Sequence, residues 1–173
     1  MKRQPMVSEL SRRSKLRLLL QHLPPLSSVL EVGAGGGWFA AQLRARAHRV
    51  TTLDLARPAD IVGDINSWRA LGIRPGSFDA VVALEVIEHV DCLAALRAVC
   101  RTGGLIFLSS PHPQWDWCMQ LLEQLSLTQP RTSPHSNLTD FATIPLPAVV
   151  RRRPMFIHQV AIFRNEELPA GVG

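Results

Sequence analysis

Apolar residues recur along this chain in two rhythms. Short apolar runs bounded by turn residues occur at 28–33, 48–54, 60–62, 78–84 and 104–110, and their length and β-branched content predict strands. Stretches 37–47, 67–72 and 91–101 place apolar residues at helical spacing instead. An amphipathic segment, 8–22, precedes them, with Ser8 in position to cap a helix and Pro24 and Pro25 in position to stop it. Strands that alternate with helices predict a parallel sheet covered on both faces. The unbroken apolar runs VVAL (81–84) and LIFL (105–108) fit strands buried on both sides.

Beyond the fifth strand the pattern changes. A further helix is expected at 114–127, carrying Trp115, Trp117, Leu121, Leu122 and Leu125. Residues 128–150 are rich in Pro, Ser and Thr with little periodicity. MFIHQVAIFR (155–164) is the last strand pattern, and 166–173 reads as a frayed tail. The expected organisation is one domain over 1–173, divided into a leading helix (1–26), a core (27–112), a variable region with terminal strands (113–165) and the tail.

The first strand runs into VLEVGAGGG (29–37), with Glu31 ahead of Gly33, Gly35 and Gly37. Glycines between a strand and a helix let the backbone approach a ligand closely, and the helix amides face it. The dinucleotide fingerprint fails because Trp38 stands where its last glycine or alanine belongs. The phosphate loop fails as well, since Lys2 and Lys15 are the only lysines in the chain. About 20 residues after the loop, the second strand ends in Asp54, where a carboxylate can accept ribose hydroxyls. Asp64 and Ile65 follow, then FDAVVALEVIEHV (78–90) and GGLIFLSSPH (103–112).

The E-x-G-x-G-x-G loop closely resembles motif I of the class I S-adenosylmethionine-dependent methyltransferases, and the later segments resemble that family's motifs in order. The resemblance implies a Rossmann-like, doubly wound α/β fold, mostly parallel with a C-terminal antiparallel edge hairpin of 147–152 and 155–164. It implies a leading helix across the cofactor mouth and substrate selection by 111–146. The cofactor would be S-adenosylmethionine, held by Glu31, Gly33, Ala34, Gly35, Gly37, Asp54, Leu55, Asp64, Ile65 and Leu84.

Glu85, Glu88 and His89 form a second constellation, E-x-x-E-H, after the fourth strand. If this turn is helical, the spacing puts all three on one face, where hard oxygens and an imidazole suit Mg²⁺ or Mn²⁺. EVIEH is similar to a segment of small-RNA 2′-O-methyltransferases and ubiquinone-pathway O-methyltransferases, where such a cluster is associated with metal. His135 is the first choice for a fourth ligand, ahead of His112 and His158; His158, within a strand pattern, reads as structural or surface-facing. A metal-free role in the cleft and a purely structural role stay open. His89, His112 and Glu88 are the candidates for removing an acceptor proton. Trp38, Trp115 and Trp117 offer stacking surfaces for a planar acceptor, or core anchors.

Composition narrows the partners. No apolar run is long enough to span a membrane, and the basic start lacks the apolar stretch of a signal peptide. Cys92, Cys100 and Cys118, odd in number and without C-x-x-C spacing, predict reduced thiols in a cytoplasmic protein. The net charge of +5 is carried by 17 arginines against two lysines, clustered at Arg12–Arg17 and Arg151–Arg153. It fits either solvated faces or an anionic partner such as RNA or a lipid headgroup. The expected function is O-methylation of a small molecule. The alternatives are an RNA-modifying methyltransferase with a divalent metal at Glu85, Glu88 and His89, and a non-catalytic S-adenosylmethionine-binding module.

Overall fold

The computed structural model describes residues 6–111, 140–153 and 158–166. Its core is one seven-stranded sheet: β1 (Ser28–Val32), β2 (Arg49–Asp54), β3 (Ile61–Val62), β4 (Phe78–Leu84), β5 (Cys100–Pro111), β6 (Ala148–Arg152) and β7 (His158–Arg164). The spatial order is β3-β2-β1-β4-β5-β7-β6, as expected of the Rossmann-like class I fold. Pairs among β1 to β5 are parallel, while β7 runs antiparallel to both β5 and β6. The chain starts at the centre, winds outward to β3 and returns to β4. The strand order therefore reverses between β1 and β4, and ligands of open α/β sheets bind beyond the carboxyl ends at such a point.

Side-chain alternation divides the core between two faces. Val29 of β1, Ala80 and Val82 of β4, and Leu105 and Phe107 of β5 share one face. Helices α1 (Met6–Leu20) and α2 (Trp38–Arg44) cover it with Leu16, Leu19, Phe39 and Leu43. Leu30, Val81, Ala83, Ile106 and Leu108 point the other way, against Ala95, Leu96 and Val99 of α3 (Leu93–Val99). Glu31, one residue from Leu30, necessarily lies on the α2 side.

Several boundaries differ from expectation. The leading helix runs from Met6 to Leu20, so Ser8 lies inside it rather than at its cap. Helix α2 ends at Arg44, and the chain turns through Ala47 in the left-handed region (φ 63°). The helix expected at 67–72 is a short 3-10 turn, Ile65–Ser67, capped by Asp64, with looser turns after it. Helix α3 stops at Val99 because β5 already begins at Cys100. Its register against β4 jumps from Phe78↔Cys100 to Ala80↔Leu105, and Gly103 (φ 71°) and Gly104 sit in that jump. A Cβ on Gly104 would come within 2.8 Å of the Asp79 carbonyl oxygen, so only glycine lets the irregular strand pass. The helix expected at 114–127 and the tail beyond 166 lie outside the described residues.

Candidate functional site

The glycine loop leaves β1 at the carboxyl edge. The Gly33 amide donates to the Leu53 carbonyl at 2.8 Å, tying the loop to β2. Gly33, Gly35 and Gly37 all have positive φ (71°, 51° and 71°), which side chains resist. Gly33 has a second constraint, because an added Cβ would lie 2.5 Å from Val86 Cγ2. At Gly35, Gly36 and Gly37 an added Cβ meets nothing within 4 Å. Gly36 has neither a positive φ nor a crowding neighbour, so nothing in the chain itself demands glycine there.

Asp54, at the tip of β2, accepts the Gly35 amide on Oδ2 at 2.8 Å and the Ala56 amide on Oδ1 at 3.3 Å. The expected ribose acid and the expected glycine loop are thus in contact. Leu55 beside them is 76% exposed, an apolar surface that folding leaves in water. Asp64 is also exposed, and its Oδ1 accepts the Asn66 amide at 2.9 Å. Ile65 departs from expectation: it is 2% exposed and packs in the core beside Trp68 instead of covering a cleft. Ala34 is buried, and Leu84 half-buried against the α1–α2 side of the core.

Glu31 is buried beneath the loop. Burial pushes its carboxyl up from 4.5 to about 7, against the pull of the Ala40 amide and Arg44. Its Oε2 has no hydrogen-bond partner among the described residues. Asp60 and Asp79 contrast with it. The first takes the Thr52 amide and Arg44, the second the Ser28 amide and Arg101, and these contacts hold both carboxyls below their ordinary range. Those two acids staple the sheet.

The E-x-x-E-H turn corrects the geometry expected of it. Residues 85–90 form a bend and turn, not a helix, and Glu85 adopts φ 58°. Glu85, Glu88 and His89 therefore do not share a helical face. Glu85 Oε1 accepts Lys15 Nζ at 2.6 Å and Ser109 Oγ at 2.7 Å, while Oε2 lies 3.8 Å from His158 Nδ1. Burial would raise this carboxyl, but Lys15 and then His158 outweigh it and hold it at about 2. Glu88 is 1% exposed, and burial followed by the Glu85 charge pushes it up to about 7. Its Oε2 has no hydrogen-bond partner among the described residues. His158 is drawn below its ordinary 6.5 by burial, against the opposing pull of Glu85.

Among the described residues no three His, Cys, Asp or Glu side chains are placed to hold a metal ion. Glu85, Glu88 and His89 as they stand do not fit the expected cation. His112 and His135 lie outside the described residues. Lys15, expected only as part of a basic patch, and His158, expected as a third-choice ligand or a structural or surface residue, both reach Glu85. The signal for Lys15 was composition: a lysine is rare in a chain that otherwise uses arginine. Also unforeseen is a groove of about 540 Å³ between α1 and α2, lined in part by Arg13, Arg17, Trp38 and Arg46.

A family model described as a methyltransferase domain matches residues 6–144. A ubiquinone biosynthesis O-methyltransferase of Ralstonia nicotianae is 34% identical over 113 residues, which cover 54% of this chain and 48% of that protein. The chain spans about half the length of the curated relatives it matches. The crystal structure of the PH0226 protein from Pyrococcus horikoshii superimposes with a TM-score of 0.67 at 16% identity, covering 91% of each chain. A Burkholderia thailandensis 1,6-didemethyltoxoflavin-N1-methyltransferase, solved with S-adenosylhomocysteine, gives 0.56 at 18% identity, covering 91% of this chain and 79% of that one.

Proposed function

The chain belongs to the methyltransferase domain family, and from that premise we propose that it transfers the methyl group of S-adenosylmethionine to a hydroxyl oxygen of a small molecule. The observation that carries the cofactor half is the loop itself. Gly35 to Gly37 face open space, Asp54 stands against them and Leu55 is exposed beside it. That donor set fits an adenosine with a zwitterionic tail. The backbone of Gly33 to Gly37 would take the methionine portion, with Glu31 fixing the loop from below. Asp54 would accept the ribose hydroxyls, Leu55 cover the adenine ring and Asp64 accept its amino group. The relatives named ubiquinone biosynthesis O-methyltransferase support oxygen on a small molecule as acceptor.

Bound S-adenosylmethionine supplies a methyl carbon already activated by the sulfonium. The protein's task is then alignment, exclusion of water and removal of one proton from the acceptor. Two walls meet for this purpose. The loop after β1 and the turn after β4 touch at Gly33 and Val86, which sets the E-x-x-E-H turn beside the cofactor cradle. His89, half-buried on this turn, is the described group best placed to take the proton, with the deeply buried Glu88 behind it as a positioning residue. The test is S-adenosylhomocysteine formation with phenol- and catechol-bearing acceptors, measured by mass spectrometry. Product that depends on the acceptor hydroxyl is expected, and no product with any acceptor would contradict methyl transfer.

A second reading, RNA as acceptor, draws on the groove with Arg13, Arg17, Arg46 and half-buried Trp38, which pairs cations with a stacking ring. Methylation of RNA but not of small hydroxyl compounds, with binding that weakens steeply with salt, would favour it.

A further inference from the structure

Four elements of the fold converge on one carboxylate. Lys15 comes from α1, Glu85 follows β4, Ser109 belongs to β5 and His158 opens β7. The Lys15 side chain is 11% exposed and that of Glu85 36%, so the ammonium lies beneath a carboxylate that still reaches the surface. Seventy residues separate the two partners. Of the 19 basic Lys and Arg side chains, only Lys2 and Lys15 are lysines.

We propose that this cluster is a metal-independent site, in which the Lys15 ammonium occupies the position on Glu85 that a divalent cation would take. Oε1 of Glu85 already receives two donors, at 2.6 and 2.7 Å, and Oε2 faces His158 Nδ1 at 3.8 Å. The neighbouring Glu88 carboxyl is deeply buried beside Glu85, which disfavours a second ionised ligand. A doubly charged ion close enough to bind Glu85 would also lie against the ammonium and be repelled by it.

The residue type fits the role. Lysine presents a compact point charge with three donors, closer in shape to a bare ion than the planar fork of arginine. In a chain that uses arginine almost everywhere else, this choice has a physical reason. The ammonium neutralises Glu85 and ties α1 to the carboxyl edge of the sheet, where such sheets receive ligands. The proposal concerns the cation alone and does not depend on the identity of the methyl acceptor.

Manganese alone is a sufficient probe, followed by electron paramagnetic resonance of the free ion. The wild-type chain should leave Mn²⁺ free up to about 1 mM, to the same extent as its Glu85→Gln variant. Lys15→Met should gain a site at least roughly tenfold tighter, which Lys15→Met with Glu85→Gln loses again. Lys15→Gln, keeping a donor to Glu85 without the charge, gives the same comparison in a second background, with circular dichroism confirming the fold of each. Two results overturn the proposal: a wild-type Mn²⁺ site that Glu85→Gln abolishes, or folded Lys15 variants that gain no Glu85-dependent site. Because no cofactor is added, either result leaves S-adenosylmethionine binding to be judged separately.

Discussion

Glu31, Glu85 and Glu88 are three buried or half-buried carboxyls with opposite electrostatic fates. Glu31 and Glu88 are raised from 4.5 to about 7, so the folded chain binds their protons more tightly than the unfolded chain does. Their contribution to stability is full below about 4.5 and declines as pH rises to about 7. Glu85, lowered to about 2, works the other way: its contribution is present above 4.5 and lost as pH falls towards 2. In denaturant melts across pH these two carboxyls should contribute a stability that falls between pH 4.5 and 7, against the opposite slope of His48 and His158, both drawn below 6.5 by burial. Glu88→Gln should flatten that fall, gaining up to about 3 kcal/mol at the alkaline end, since one pKa unit is worth about 1.4 kcal/mol. A parallel decline in the variant would show that Glu88 is not its source. Gly33→Ala meets both a positive φ and Val86 Cγ2, and should cost about 1–3 kcal/mol in the same melts. Gly36→Ala meets neither and should leave stability nearly unchanged while weakening cofactor binding.

Elements were legible where a single periodicity ruled. Strands β1, β2, β4 and β7 were readable from apolar runs, and the edge pairing of β6 with β7 formed as the resemblance implied. Reading failed where local pattern and tertiary geometry disagree. Residues 85–90 have helical spacing, but the Glu85 amide donates to the Ser109 carbonyl at 2.8 Å, extending the β4–β5 pairing into the turn and bending it out of helix. The apolar run before Arg101 suggested more helix, yet Gly103 and Gly104 let β5 start early through an irregular register. Helix α1 has a clearer dependence on packing. Leu19 is fully buried against the sheet, so Leu19→Ala should cost about 2–5 kcal/mol by urea unfolding. A loss under about 1 kcal/mol would mean that α1 is not packed as described.

At the scale of the molecule, a sheet whose order reverses at β1 and β4 brings two sequence motifs into contact that lie some fifty residues apart. The cofactor side of this site was readable because strand, glycine turn and acid follow one another at fixed spacing. The opposite side was not. Lys15 and His158 reach Glu85 from α1 and β7, and no local pattern records a meeting of side chains so distant in sequence. Asp54 and the glycine turn are the groups proposed to hold S-adenosylmethionine. Isothermal calorimetry with S-adenosylmethionine tests this directly. The wild-type chain should bind one equivalent, and Asp54→Ala should weaken that binding by at least roughly tenfold, about 1.4 kcal/mol. No heat of binding at millimolar ligand, or an Asp54→Ala affinity equal to the wild type, would contradict the account.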